Sequence, residues 1–249
     1  MINAYKNINV FPSYTTENEL DRSKALHTCQ IFQIDNCWAK SVASGTFINL
    51  LIDGFRRCLL TAAHVVQSSN LAIESSLSRE EHPEYNSLNA YSKLVSEEHD
   101  WALFSLVDFH ADDILKLGKQ FCNCVGKLST PYTFCGFPSS KNKSTPSLVK
   151  CRPYSHTDDE ISEDDYKLLK IDPYERIAIR FHKQRVVNAK TQEPFVFPEP
   201  QGMSGGPIFD KNGNLAGIVT NYEQKHNVLY GTRIETIIRD LVEEKCVLK

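Results

Sequence analysis

Short apolar runs separated by polar connections recur along most of the chain. Within these runs the apolar residues either alternate with polar ones or follow one another, and both patterns are typical of β-strands. The predicted strands are Gln30 to Ile34, Gly45 to Ile52, Cys58 to Ala62, Trp101 to Val107, Thr133 to Phe137, Arg176 to Phe181, Pro207 to Phe209, Leu215 to Thr220 and Val228 to Ile234. Many short strands joined by polar segments indicate a barrel or a sandwich.

Helical spacing is evident in one segment near the C-terminus. Residues 235–244 carry apolar side chains at Ile237, Ile238, Leu241 and Val242 between charged ones, which predicts an amphipathic helix packed on the barrel. The most acidic segment, 156–166, contains six Asp or Glu residues, and it is predicted to be a solvated surface loop.

Length and charge narrow the class of protein. A chain of 249 residues fits one large all-β domain or two small lobes with a substantial core. With 28 basic and 31 acidic residues, a net charge of -3 and no concentrated basic run, nucleic acid is not expected as a partner. The N-terminus lacks the pattern of a secretory signal, and no apolar run is long enough to span a bilayer. We therefore expect a cytoplasmic protein that does not interact with membranes.

The eight cysteines are Cys29, Cys37, Cys58, Cys122, Cys124, Cys135, Cys151 and Cys246. In a chain that is neither short nor evidently secreted, most of them are predicted to be reduced thiols that fill small apolar sites.

Candidate chemistry centres on the glycine-rich sequence from Gly202 to Pro207, which contains Ser204. A hydroxyl nucleophile needs a base to remove its proton, a group that orients the base, and donors for the oxyanion that forms. The missing glycine side chains let the backbone N–H groups of Gly202 and Ser204 converge in front of the hydroxyl. Taken alone, the sequence is also compatible with a tight turn that has no catalytic role.

Two other segments offer a base and its orienting group. His64 follows a strand of apolar and small residues that leave space for its ring, although a single histidine in such surroundings is more often a core side chain. Asp100 begins an apolar strand, where its carboxylate could accept the Nδ1 proton of His64. The order His, Asp, Ser, with gaps of 36 and 104 residues, distinguishes one type of triad from others.

Three motifs carry a family resemblance: Thr-Ala-Ala-His at 61–64, Asp-x-Ala-Leu at 100–103 and Gly-x-Ser-Gly-Gly-Pro at 202–207. In these motifs the chain resembles the chymotrypsin-like serine proteases, including their bacterial intracellular and stress-related branches. The resemblance implies that His64 is the general base and acid, that Asp100 holds its tautomer, and that Ser204 is the nucleophile. It implies Gly202 and Ser204 as the oxyanion donors, and no cofactor.

The resemblance also implies an all-β fold of two six-stranded antiparallel β-barrels, with the triad at their junction. On that basis residues 1–249 form a single peptidase domain. Its expected parts are an N-terminal extension over 1–24, a first barrel over 25–120, a second barrel over 121–234 and a C-terminal helix over 235–249.

Two departures from the family bear on activation. Secreted digestive members carry an aspartate before the nucleophile, which pairs with a new N-terminus released by cleavage, whereas Met203 occupies that position here. They also have a disulfide cysteine after the histidine, where this chain has Val65. Activation by a liberated N-terminus is therefore not expected, and the loss of the cysteine agrees with a reducing compartment.

The specificity pocket leaves two alternatives open. The substrate-binding positions implied by the resemblance are Pro198, Glu199, Thr220, Asn221, Tyr222 and Leu229. Pro198 occupies the pocket-floor position, and bulky walls at Tyr222 and Leu229 favour a small or uncharged side chain before the scissile bond. The rival is a basic side chain, which Glu199 would favour if it took the floor position in place of its neighbour Pro198.

A structural zinc is a further alternative, because some viral members of this fold bind zinc through a Cys-x-Cys pair near the position of Cys122 and Cys124. The residues just after the nucleophile, Phe209 and Asp210, provide no thiol or imidazole, so no metal is expected. The residues that could replace those ligands are Cys135, Cys151 and His156.

Together these features predict a serine endopeptidase that hydrolyses protein or peptide substrates through an acyl-enzyme. Because no zymogen switch is evident, we expect control by a regulatory partner or ligand, with a role in stress response or phage defence. The alternative is a catalytically inactive protease-like β-barrel that serves as a binding module.

Overall fold

The structure is a computed structural model. It describes residues 8–10, 27–35, 38–50, 57–74, 85–106, 122–123, 128–143, 152–182, 186–187, 194–243 and 247–248.

Strands dominate this part of the chain. In chain order they are β1 (Ile8–Val10), β2 (Thr28–Asp35), β3 (Trp38–Asn49), β4 (Arg57–Thr61), β5 (Leu71–Glu74), β6 (Tyr85–Ser87), β7 (Lys93–Ser96), β8 (Trp101–Ser105), β9 (Cys122–Asn123), β10 (Tyr132–Gly136), β11 (Tyr154–Asp158), β12 (Arg176–Arg180), β13 (Val186–Val187), β14 (Pro194–Phe195), β15 (Pro207–Phe209), β16 (Leu215–Glu223), β17 (Val228–Arg233) and β18 (Val247–Leu248). The α-helices are α1 (Glu163–Leu169) and α2 (Ile234–Val242), and short 3₁₀ helices span Ala63–Gln67 and Leu88–Ala90.

The strands form two curled sheets whose pairings are antiparallel except for that of β3 with β9. The first has the order β18-β7-β8-β4-β3-β2-β5-β6, with β9 beside β3, and the second has the order β1-β11-β10-β15-β16-β17-β12. Strands β13 and β14 form a separate pair.

The predicted all-β fold class, two antiparallel barrels with a C-terminal helix, is confirmed, and each barrel takes the form of a curled sheet. The strand counts differ from the expected six and six, because the described residues place nine strands in one sheet and seven in the other. Short additions account for part of the difference. Strand β1 joins the second sheet beside β11, while β18 joins the first sheet beside β7.

The acidic segment is not the loop that its charge predicts. Its first residues belong to β11, and its last ones form the start of α1. The Ser162 hydroxyl caps α1 by accepting a hydrogen bond from the Asp165 backbone N–H, and the acidic residues of the first turn face the positive end of the helix dipole. Tyr166 is buried and anchors α1 to the second sheet.

Each sheet encloses its own apolar cluster, and a third cluster joins them. The joining cluster contains Leu60 and Trp101 of the first sheet, Ile218 of the second and Ile237 of α2. Cysteines also contribute to these clusters, with Cys29 in the first sheet's core and Cys58 and Cys135 in the joining cluster. This shared core fixes the two sheets and α2 relative to one another, which a site at their junction requires.

Candidate active site

His64 and Asp100 form a directly bonded pair. His64 lies in the 3₁₀ turn that follows β4, and Asp100 lies in the turn between β7 and β8. The His64 Nδ1 atom is 2.9 Å from Asp100 Oδ2 and 3.1 Å from Oδ1, and the His64 backbone N–H donates to Oδ1 at 3.0 Å. Since a carboxylate only accepts, Nδ1 carries the proton, and the lone pair of the neutral ring lies on Nε2.

Asp100 has an unusual backbone conformation. Its φ angle is +54°, in the left-handed region that non-glycine residues rarely adopt. Such a conformation persists only where the surroundings hold it, and it is found preferentially at functional sites. It also directs the carboxylate toward both the backbone and the ring of His64.

Ser204 lies in the turn before β15, where some backbone N–H groups donate to backbone carbonyls and others do not. The N–H groups of Met203, Gly205 and Gly206 donate to the carbonyls of Pro200, Val219 and Met203 at 2.8, 2.7 and 2.9 Å. Among the described residues, the N–H groups of Gly202 and Ser204 have no such acceptor. These are the two amides that the sequence predicts as oxyanion donors.

The direction of these two amides follows from their neighbours. In a trans peptide the C=O and N–H point to opposite sides. The Gln201 carbonyl, which shares a peptide with the Gly202 N–H, accepts from Ser139 N at 2.8 Å. The Met203 carbonyl, which shares a peptide with the Ser204 N–H, accepts from Gly206 N. The N–H groups of Gly202 and Ser204 therefore point to the side of each peptide opposite to its hydrogen-bonded carbonyl.

Side chains of β3 hold this loop from the first sheet. The buried Ser44 hydroxyl donates to the Gly202 carbonyl and accepts from the Phe137 N–H, each at 2.8 Å, while its backbone N–H donates to the Ser204 carbonyl at 2.8 Å. The Thr46 hydroxyl donates to the Gly205 carbonyl at 2.9 Å. The loop is thus bonded across the junction of the two sheets.

Gly202 and Gly205 are required by the loop for steric reasons. Their φ angles are +96° and +84°. A Cβ at Gly202 would collide with Ser139, and one at Gly205 would collide with Thr61 and Ser44. Only glycine combines this backbone conformation with such close packing.

The three predicted triad residues line one cleft of about 700 Å³. The cleft brings together most of the predicted substrate-binding positions. Those that line it are Glu199, Thr220, Asn221, Tyr222 and Leu229. Pro198 is buried and is not among the lining residues. The other lining residues are Pro200, Gln201, Val219 and Gln224. Of these, Val219 belongs to the segment 217–220, which the family resemblance also implies at the substrate groove, whereas the sequence did not single out the other three.

Tyr222 is fixed within this lining. Its ring packs edge-on against Phe181 with centroids 5.4 Å apart. Phe181 in turn packs against Phe197 and His156, with both centroid distances at 5.0 Å. This aromatic cluster supports the cleft wall from behind.

His156 is a buried member of that cluster. Its Nε2–H donates to the Arg180 carbonyl at 3.0 Å, and its Nδ1 atom has no partner among the described residues. Burial lowers the pKa of His156 to about 4, against the opposing effect of the hydrogen bond to Arg180. The neutral ring is therefore the folded form at neutral pH.

The suggested zinc ligands do not come together within the described residues. Cys122 lies in β9, Cys135 is buried in β10, and His156 is bonded to the Arg180 carbonyl. Cys124 and Cys151 lie outside the described residues. No group of three or more His, Cys, Asp or Glu side chains suited to a metal occurs in the described ranges.

Sequence reasoning missed the residues that hold the site. Nothing in the sequence of Ser44 and Thr46 indicates that their hydroxyls bind the Ser204 loop. Ser139 carried no signal, because a single serine in a polar turn is common.

No protein-family model matches the chain, and no curated protein matches its sequence. Among solved structures, the active form of the Rv3671c protease from M. tuberculosis is 16% identical, over 90% of this chain and 83% of that chain, with a TM-score of 0.49. The inactive form of the Rv3671c protease is 15% identical, over 91% and 92%, with a TM-score of 0.48. At these values the likeness carries neither residue roles nor activity over to this chain.

The helices of the described residues include none that is long and apolar enough to cross a membrane.

Proposed function

We propose that this chain is a serine endopeptidase that cleaves protein or peptide substrates through an acyl-enzyme. The observation that carries the proposal is the arrangement of one cleft. It holds the hydrogen-bonded His64–Asp100 pair and Ser204, whose loop leaves two backbone N–H groups without a described acceptor.

In the proposed reaction, Nε2 of His64 takes the proton of the Ser204 hydroxyl as Oγ attacks the scissile carbonyl carbon. The oxyanion that forms is stabilised by the N–H groups of Gly202 and Ser204. The imidazolium then gives its proton to the leaving amine as the C–N bond breaks. A water molecule, deprotonated by the same ring, attacks the acyl-enzyme, and the ring returns that proton to Ser204.

Asp100 has two tasks in this scheme. Its carboxylate fixes the tautomer in which Nδ1 is protonated, and it stabilises the positive charge that the ring carries after each proton transfer. The double contact with the His64 backbone and ring suits both tasks.

The preference for the residue before the scissile bond follows from the cleft lining. Glu199 favours a basic side chain, whereas the ring of Tyr222, fixed against Phe181, favours a small one. Cleavage of a peptide library by the wild type and by Glu199→Gln separates the two. Loss of a Lys or Arg preference in the variant assigns specificity to Glu199, and an unchanged profile assigns it to the cleft walls.

We further propose that the enzyme acts in the cytoplasm under the control of a partner protein or ligand, in stress response or phage defence. Buried Cys29, Cys58 and Cys135, each within an apolar cluster, are compatible with a reducing compartment. Purified protein that degrades casein freely without any partner would argue against such control.

The test of activity is labelling by a fluorophosphonate, which reacts with a serine only when a base activates it. Wild-type protein should gain one label at Ser204 by intact mass and peptide mapping. Ser204→Ala should gain none, and His64→Ala should gain it far more slowly. A folded wild type that neither labels nor cleaves any library peptide would favour the alternative, an inactive protease-like binding module.

A further inference from the structure

The turn that carries Asp100 is held by a second carboxylate, that of Asp240 in α2. Asp240 is fully buried. Its Oδ2 atom accepts from His99 Nδ1 at 2.7 Å and from Trp101 Nε1 at 2.8 Å. It also accepts from the Ser96 hydroxyl, at 3.2 Å. A single oxygen therefore binds the residues on both sides of Asp100 and the last residue of β7.

The second sheet holds the same turn from the other side. The His99 carbonyl accepts from the Thr232 hydroxyl at 2.5 Å and from Arg176 Nη1 at 2.8 Å. The His99 Nε2 atom is 3.3 Å from Glu175 Oε1. The His99 ring thus lies between two carboxylates, one from α2 and one from the segment before β12.

These contacts explain how Asp100 keeps its strained backbone. A φ of +54° at a non-glycine residue is maintained only by its surroundings, and here both neighbours of the residue are fixed by side-chain hydrogen bonds to Asp240. Three donors on one buried oxygen leave the turn little freedom. A carboxylate held in this way presents a fixed acceptor to the ring of His64.

We infer that Asp240 is a positioning residue for the His64–Asp100 pair, and that it acts through His99 and Trp101. Activity would then depend on α2 being packed in place, although α2 contributes no group to the cleft lining. The inference rests on the proposed function for its effect on rate. Its effect on the geometry of the pair can be measured without turnover.

The experiment compares Asp240→Ala with Asp210→Ala. Asp210 is the matched control because it is also fully buried, and its carboxylate accepts from the backbone N–H groups of Asn212 and Asn214, at 2.9 and 2.8 Å, in the turn after β15. For each protein the measurements are kcat and KM, the rate of fluorophosphonate labelling, and the thermal unfolding midpoint. A fourth measurement is the downfield proton NMR signal of the His64 Nδ1–H, assigned with ¹⁵N-histidine.

We expect Asp240→Ala to lower kcat and the labelling rate by about 10-fold to 100-fold with little change in KM, since misplacement of a catalytic group by about 1 Å can cost that much. The His64 signal should broaden or disappear. Asp210→Ala should lose stability while keeping the signal and the wild-type kcat. Asp240→Asn, which retains one acceptor oxygen for His99 and Trp101, should recover most of the activity.

Trp101→Phe tests the same contact if Asp240→Ala does not fold. It removes one N–H donor and keeps an aromatic ring, so kcat should fall roughly threefold to tenfold, as expected for one hydrogen bond.

Either of two results would overturn the inference. One is wild-type kcat and an intact His64 signal in the folded Asp240 or Trp101 variants. The other is an equal loss of kcat in Asp240→Ala and Asp210→Ala at equal stability. A wild type that shows the signal but never labels would refute the proposed function, while loss of the signal only in Asp240→Ala would still support the inference.

Discussion

Ser44→Ala removes the hydroxyl that ties the Ser204 loop to the first sheet. That hydroxyl donates to the Gly202 carbonyl and accepts from the Phe137 N–H, each at 2.8 Å, in a fully buried position. Alanine fits the same space, so the change deletes two hydrogen bonds with little loss of packing. Both backbone partners are then left without a bond in the interior.

The expected magnitude follows from those two partners. A buried polar group left unsatisfied costs about 1–3 kcal/mol, so with two such groups the unfolding free energy should fall by about 2–6 kcal/mol. The backbone N–H of residue 44 still binds the Ser204 carbonyl, so the loop is loosened at Gly202 first. We expect kcat to fall by about 10-fold to 100-fold, which is less than the 10²–10³ lost with a complete oxyanion donor. KM should change little.

Ser41→Ala provides the control within the same strand. Ser41 is buried, and its hydroxyl has no hydrogen-bond partner among the described residues. Because a buried hydroxyl without a hydrogen bond is itself destabilising, its removal should leave stability unchanged or raise it, and should leave kcat unchanged. Urea unfolding gives the free energies, and a fluorogenic peptide from the library gives kcat and KM. Wild-type kcat in folded Ser44→Ala, or equal effects of the two variants, would refute the role of the Ser44 hydroxyl.

Three further outcomes are expected. Gly205→Ala should abolish labelling, because its Cβ would collide with the first sheet. The control is Gly213→Ala, which has a similar φ of +83° but open space around it. This control should lose only about 1–2 kcal/mol of stability and no activity. Asp100→Asn should lower kcat by about 10⁴ while the protein stays folded, and a loss below tenfold would contradict the triad. The unfolded chain binds a proton at His156 near pH 6.5 but the folded protein only near pH 4, so stability should fall by about 3 kcal/mol as the pH drops through that window. His156→Phe should remove this part of the acid sensitivity, which urea unfolding at pH 7 and pH 4.5 would measure.

Local patterns predicted the long buried strands well. The run from Arg176 to Phe181 corresponds to β12, and the run that begins at Leu215 corresponds to β16, because an apolar stretch bounded by polar turns is a local signal. Strands β6 and β7 were missed, since three or four half-polar residues have no clear alternation. The wrong prediction for the acidic segment overlooked the Ser162-x-x-Asp165 sequence, a cap signal at the start of α1.

The contacts that hold the site could not be predicted in the same way. Ser44 meets Gly202 across 158 positions of the chain, and His99 meets Asp240 across 141. Such pairs depend on how the sheets and α2 pack, which neither periodicity nor motif spacing encodes. The sequence motifs therefore identify candidate residues for the chemistry, whereas the residues that orient them emerge only from the fold.

Met203 brings these observations together. In the secreted proteases that the sequence resembles, the residue before the nucleophile is an aspartate whose salt bridge orders the loop after cleavage. Here Met203 is fully buried in the second sheet's core, and its N–H and carbonyl are both bonded within the loop. Apolar burial and the Ser44 hydroxyl thus order the loop with no released terminus. If the proposed enzyme is regulated, control is better sought at access to the cleft or at the packing of α2 against the Asp100 turn. There the hydrogen bonds of a single buried carboxylate, Asp240, connect the helix to the residues on both sides of Asp100.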